Sequence, residues 1–237
     1  MVSSLESTFF GEESPRLVPR FGELTLADLP VETGLFPLSG TLLLPRGKLP
    51  LNVFEPRYIA LVEDALASDR LIGMIQPVDP EDEADELLFP SLFGVGCLGR
   101  ITSFTERGDG TFAITLTGIS RFRVLRESGI RRGYRRARID VSRYGADLNE
   151  VPSAPFDREV LLSSLRAYFR VRHLHARWDV LEQMPDDMLL ITLPMICPFP
   201  AAEKQLLLEA ETLTDRVQVL QTLLDFPGLF PDDPDDV

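Results

Sequence analysis

Cysteine and histidine are scarce in this chain, two of each in 237 residues. Cys97 and Cys197 cannot make a disulfide framework, and both stand among apolar neighbours, the setting of buried thiols in a reducing cytoplasm. His173 and His175 are two residues apart, so on a helix they leave from different sides and do not form the i, i+4 zinc pair. The HExxH, GxSxG and paired-cysteine motifs are all missing, and a nucleophile without a neighbouring base is not activated. No metal site, cofactor or catalytic residue is expected. Long apolar runs are missing too: none reaches the roughly 18 residues that a membrane span requires. The first twenty residues carry Glu6, Glu12 and Glu13 and lack the basic start and apolar run of a secretory signal. Positive charge is in the minority. With 24 Lys+Arg against 37 Asp+Glu, the net charge of −13 excludes the basic surface of a general nucleic-acid binder.

What is present is a globular composition, 44% hydrophobic, enough for a sizeable core. Residues 1–33 have weak periodicity and read as an arm that partly lies on the body. From there to about residue 150 the pattern is mostly that of strands. Leu35–Leu38 and Leu49–Phe54 are short buried strands, with Leu42-Leu43-Leu44 as a possible fragment between them. Pro56 suits the first position of a helix over 56–68, because its missing N–H is not needed there. Leu71–Gln76 follows as a strand. The clearest local signal is a hairpin: Phe93–Phe104, the turn Arg107-Gly108-Asp109-Gly110, and a return from Thr111 to Leu125 in which Gly118 marks a bend or bulge. Tyr134–Tyr144 closes the series, with Ala137, Ile139 and Val141 on one face. Rolling such a sheet into a small barrel removes exposed edges.

After Val151-Pro152-Ser153-Ala154-Pro155 the reading turns helical. Leu161, Leu165 and Tyr168 lie at i, i+4 and i+7. A second helix spans Asp186–Cys197, which Pro194 should kink or end. A third covers Ala201–Glu209. Thr212 with Asp215 forms a capping box for the last, whose buried face is Val217, Leu220 and Leu224. The expectation is an α+β protein: an arm (1–33), a β pseudo-barrel lobe of about six strands and one short helix (34–150), a C-terminal helical bundle lobe (152–226) and an acidic tail (227–237).

Three groups of residues stand out as candidate sites. Phe54, Glu55, Arg57 and Tyr58 sit at a strand-to-helix junction, either as a pinned corner or as an edge for peptide contact. Phe89 and Phe93 follow a run of six acids in residues 79–86, either plugging the barrel or offering an apolar patch. Eight arginines lie between Arg121 and Arg138. By period-two geometry Arg121 and Arg123 share one strand face, as do Arg136 and Arg138. With Arg135, these arginines are either outer-face residues neutralised by the abundant carboxylates or a patch for an acidic partner or another anion.

Motifs in this order resemble the amino-terminal, substrate-binding domain of the Lon protease family. They are Phe36-Pro37-Leu38, Leu49-Pro50-Leu51, Phe54-Glu55-Pro56-Arg57-Tyr58, Gly94-Val95-Gly96-Cys97, Asp109-Gly110, Gly118-Ile119-Ser120-Arg121-Phe122, and Glu203-Lys204-Gln205-Leu206-Leu207-Leu208-Glu209 followed by Arg216. The resemblance implies a pseudo-barrel with a helical bundle, used to grip unfolded or tagged polypeptide. Against the ATPase of the full protease, Pro45-Arg46-Gly47-Lys48-Leu49 is a poor match to a P-loop. Position 42 is Leu42 where glycine is needed, and Leu49 stands where a hydroxyl would bind Mg²⁺. The expectation is therefore a stand-alone, non-catalytic, cytoplasmic recognition module. Its partner would be an unfolded or tagged polypeptide, or a protease or chaperone that it supplies; neither membrane nor nucleic acid is a partner, and the oligomeric state is left open. The alternative is a regulator that binds a small molecule or anion through the Arg121–Arg138 face.

Overall fold

The structure, a computed structural model, describes residues 19–78, 90–149 and 154–226. Phe89, the acidic run at 79–86 and the tail at 227–237 lie outside the described residues.

Six strands form one mixed sheet: β1 (Glu32–Pro37), β2 (Lys48–Val53), β3 (Leu71–Ile75), β4 (Val95–Glu106), β5 (Phe112–Arg131) and β6 (Tyr134–Asp140). They run in the order β2-β5-β4-β3-β1-β6, and β6 also pairs with β5, which closes the last five into a ring. Only β1 and β3 are parallel. The helix between β2 and β3, α1 (Pro56–Leu66), begins on Pro56 as its sequence implies. The β4–β5 hairpin turns at Gly110 (φ +81). The sheet slips register at Gly118, where Leu98 faces Ser120 but Gly99 faces Gly118, leaving Ile119 as the extra residue of a bulge.

Two features of the sheet differ from the sequence expectation. The first strand starts at Glu32 rather than Leu35. β5 continues to Arg131 and turns back through Arg132 (φ +49) and Gly133 (φ +91), a two-residue hairpin loop with both central residues left-handed.

The interior of the ring is filled by Leu35, Leu71, Ile75, Leu98, Ile119, Phe122, Ala137 and Ile139, and Leu29 of the arm joins them. Leu92, rather than Phe93, packs against this cluster. A second cluster runs from α1 and the buried loop Leu42-Leu43-Leu44 into the helices. These are α2 (Arg158–Val171), α3 (Trp178–Gln183), α4 (Asp186–Ile196), α5 (Ala201–Glu209) and α6 (Leu213–Asp225). Leu161, Leu165 and Tyr168 of α2 are all at most 1% exposed. The Thr212–Asp215 capping box opens α6. Pro194 does not end α4 on the spot. It occupies the last turn, and the helix stops two residues later at Ile196, before Pro198 and Pro200. The short α3 escaped the sequence reading. Its exposed carbonyl end is closed from a distance by Arg158, which donates to the oxygens of Leu181 (3.0 Å), Glu182 (3.0 Å) and Met184 (2.8 Å). His173 (φ +53) terminates α2: Leu174 N–H reaches Phe169 O at 2.8 Å and His173 N–H reaches Arg170 O at 3.3 Å, a Schellman arrangement with histidine in the place glycine usually takes.

Asp64 ties α1 to the β5–β6 turn. It accepts from Tyr134 Oη (2.7 Å), Arg132 (2.9 Å) and Arg131 (3.0 Å). The Tyr134 hydroxyl foremost, aided by the two guanidiniums and opposed by partial burial, holds its carboxyl below the usual value. A depressed carboxylate contributes stability above its unfolded pKa of about 4 and loses it as pH falls through the lower folded value. The stability gap between the wild-type protein and Asp64→Asn is therefore expected to narrow between pH 6 and pH 3, measured by urea unfolding. A gap constant with pH would contradict this.

Candidate functional site

Where α4 meets the barrel, the two surfaces touch at one end and part at the other. At the touching end Gly47 lies under Met195, so close that a Cβ on the glycine would stand 2.3 Å from the methionine sulfur. At the other end an open cleft of 510 Å³ remains, lined from the barrel by Arg46, Thr117, Gly118 and Ile119 and from α4 by Asp187, Met188 and Ile191. Asp147 and Leu148 close one side, and Phe21, Gly22 and Leu24 of the arm form another. The arm is held there by Arg100, which donates to Pro19 O at 2.7 Å and lies 5.7 Å from the Phe21 ring.

The local sequence explains the cleft. Gly118 allows the loop before β2 to lie directly on β5: Arg46 N–H donates to Gly118 O (2.8 Å) and Gly118 N–H to Gly47 O (2.9 Å). The bulge that follows brings Ile119, whose side chain is buried inside the ring, to the border of the cleft. Asp147, brought in by the 3-10 turns at Ser142–Leu148, is not a free acid. Its carboxylate receives a fork from Arg121, with Nε at 3.0 Å and a terminal nitrogen at 2.9 Å.

Arg121 does more than hold Asp147. The same guanidinium donates to the carbonyls of Leu208 (3.2 Å), Ala210 (2.5 Å) and Glu211 (3.5 Å) at the end of α5, and lies 4.7 Å from the Tyr144 ring. Around it the Glu203–Glu209 stretch fastens α5 to the sheet. Lys204 Nζ donates to Gly40 O (2.6 Å), Gln205 Nε2 to Val95 O (3.1 Å), and Gln76 Nε2 to Ala201 O (3.1 Å) and Gln205 Oε1 (3.2 Å). Burial pushes Lys204 down from the ordinary lysine value. Arg216, bonded to Leu207 O at 2.9 Å, is pushed down to about 10 by burial and then by neighbouring Arg121. The two cysteines are buried thiols whose ionisation burial suppresses, Cys197 being raised to about 12.

The candidate residues separate accordingly. Arg121, proposed for an outer patch, is 5% exposed and clasped between sheet and helices, and Arg135 (7%) is turned inward to Glu127 and to Pro90 O. Arg136 pairs with Glu32. Arg123 and Arg138 remain exposed, with Arg126 facing Arg138 across the β5–β6 ladder. Tyr58 is no surface contact: it is buried, stacked on Phe36 at 4.1 Å, and Arg57 covers its other side. Glu55 and Arg57 pair with each other at 2.8 Å, both partly exposed. Phe54, 71% exposed, lies apart from the cleft, and Phe93 is half-buried at the β3–β4 connection. None of these residues lines the cleft. Nor does the free edge of β2 invite an added strand. The Gly118–Gly47 bond sets the ladder so that Leu49, Leu51 and Val53 point their N–H groups at β5, and the outward position between Lys48 and Asn52 is Pro50, which has none.

A six-stranded mixed sheet, five of whose strands close into a ring, with a cluster of helices fastened to it, makes this an α+β protein. Solved structures share the arrangement. A Lon N-terminal domain protein from Xanthomonas campestris superposes with TM-score 0.56 at 22% identity, over 81% of this chain and 97% of that one. The N-terminal domain of the Mycobacterium avium complex Lon protease does so with TM-score 0.54 at 17% identity, over the same shares. The sequence model of the ATP-dependent protease La (LON) substrate-binding domain matches residues 32–225, and the chain belongs to that family. Among curated relatives, Lon protease 2 of Sorangium cellulosum is 33% identical over 153 residues, 64% of this chain and 17% of that protein. Lon protease 2 of Myxococcus xanthus is 30% identical over 119 residues, 50% of this chain and 14% of that protein. The chain thus spans less than a fifth of the length of these relatives. No helix among the described residues is long and apolar enough to cross a membrane.

Proposed function

We propose that this chain is a non-catalytic recognition module that holds polypeptide segments in the cleft between the barrel and α4. The observation that carries the reading is the cleft itself. It is an open groove of mixed lining where Gly118 and Ile119 meet α4, and Met188 stands exposed on its wall. It is the kind of surface an extended chain can occupy through side-chain contacts, with a polar rim to keep it soluble. Binding of this kind needs no nucleotide and cuts no bond. It suits either direct capture of unfolded or tagged protein or delivery of it to a protease or chaperone in the cytoplasm. The anion-regulator alternative draws little from the geometry, because Arg121, Arg135 and Arg136 are already engaged.

The test uses a fluorescently labelled, permanently unfolded protein, reduced and carboxymethylated, in an anisotropy titration without ATP. Met188, 39% exposed on the cleft wall, tolerates a charge without opening the core. Met188→Glu is expected to weaken binding about tenfold, the effect of spoiling an apolar anchor point. Val180→Glu is the control, because Val180 lines a separate apolar groove of 510 Å³ bounded by Phe169, Ala176, Met184 and Ile196. Loss of binding in Val180→Glu with none in Met188→Glu would move the site to that groove and overturn the present reading. An absence of binding by the wild-type protein would do so outright.

A further inference from the structure

The charges around the cleft are unevenly used. Asp147 is spent on Arg121. Asp186, in the first turn of α4, is taken by Arg158. Its neighbour Asp187 is exposed at the cleft mouth and has neither an ion pair nor a hydrogen bond from its side chain among the described residues. Arg46 lines the same cleft from the barrel side, and its guanidinium donates only to a neutral acceptor, Asn149 O. No carboxylate among the described residues balances it. Arg46 also holds a left-handed backbone (φ +67), which an arginine adopts only when its surroundings impose it. Its N–H bond to Gly118 O and the docking of Gly47 on β5 supply that constraint. Two uncompensated charges of opposite sign therefore line the cleft, one from the barrel and one from α4, together with the exposed Met188 and the partly exposed Leu148.

Building on the reading of this cleft as a polypeptide site, we propose that its preferred occupant is a segment of mixed charge. An apolar side chain would sit against Met188 and the partly exposed Leu148, with a basic side chain on one flank facing Asp187 and an acidic side chain on the other facing Arg46. Opposite charges across a partly screened cleft set preference more than raw affinity, since a like charge at either wall is repelled while the apolar anchor supplies the common binding energy. The arrangement does not fit a uniformly basic or uniformly acidic segment, because each meets one matching and one opposing wall.

Four labelled, end-blocked peptides of equal length test this, each with one central leucine. The flanking residues are Lys and Glu, Lys and Lys, Glu and Glu, or Ser and Ser. The mixed-charge peptide is expected to bind wild-type protein tightest, by about threefold per matched charge at low salt, with the advantage disappearing at about 1 M salt. Asp187→Lys should transfer the preference to the Glu/Glu peptide, and Arg46→Glu to the Lys/Lys peptide. The same ranking in the wild type and both variants would overturn the proposal while leaving the polypeptide site intact, since the Ser/Ser peptide reports the apolar anchor alone. Failure of all four peptides to bind would remove the polypeptide reading and this inference with it.

Discussion

Replacing Arg121 by alanine is expected to destabilise the protein by about 3–5 kcal/mol, the range for removing one partner of a buried ion pair. The reason lies in what stays behind. Asp147, with a side chain 8% exposed, would keep a carboxylate without its fork, and the carbonyls of Leu208, Ala210 and Glu211 would lose a donor at the C-terminal end of α5. Arg216, close enough to feel the charge of Arg121, gains from its removal, but its own bond to Leu207 O cannot reach Asp147's place in the turn. Removing both partners is milder than removing one, because no uncompensated buried charge remains. The double variant Arg121→Ala/Asp147→Ala should therefore lose less than the sum of the two single variants in urea unfolding. A loss below about 1 kcal/mol for Arg121→Ala would place the residue with ordinary surface arginines. Because Asp147 also lines the cleft, the single variant should weaken polypeptide binding too, through displacement of the Ser142–Leu148 turns.

This residue shows where a sequence is readable and where it is not. The succession of strands along the chain, the opening of α1 on Pro56, the β4–β5 hairpin and the start of α6 are all written in local chemistry. They rest on a proline whose N–H is not needed, a glycine where φ must be positive, an alternation of period two, and a hydroxyl three residues before a carboxylate. The fate of the arginines is not local. Arg121 and Arg123 do share a strand face, yet α5 covers one and leaves the other in water. The partners of Arg121 lie 26 to 90 residues away, beyond the reach of any periodicity argument. The same holds for the cleft. Its walls come from the arm, the loop before β2, the bulge in β5 and the first turns of α4, and only Gly118 hinted at it. The β5–β6 turn was hidden for a different reason: Arg132 is not a residue that advertises a left-handed conformation. The Glu203–Glu209 stretch was recognisable as a motif, but its role as a fastener between α5 and the sheet appears only once Gln76, Val95 and Gly40 are placed around it.

The second large effect is expected at Gly118. A single methyl group there, in Gly118→Ala, would stand 2.0 Å from Leu44 O, 2.8 Å from Leu44 C and 3.2 Å from Pro45 Cα. All three are backbone atoms, so no side chain can swing aside. Either β5 or the loop at residues 42–47 must move, and Leu42, Leu43 and Leu44 are each at most 2% exposed. Overpacking of a fixed backbone costs about 3 kcal/mol or more. Gly47→Ala is the informative comparison. Its sharpest clash, 2.3 Å, is with Met195 Sδ, the far part of a flexible side chain, and its approach to Leu44 O is a milder 3.0 Å. Gly118→Ala should therefore cost clearly more than Gly47→Ala in urea unfolding. It should also speed hydrogen exchange at the Arg46 amide, whose bond to Gly118 O would be pulled open. Since Arg46 and Gly118 both line the cleft, Gly118→Ala is expected to weaken polypeptide binding even at temperatures where it remains folded. Equal costs at the two glycines would mean that the loop yields as easily as a methionine, and the cleft wall would then not be the rigid surface that the proposed recognition depends on.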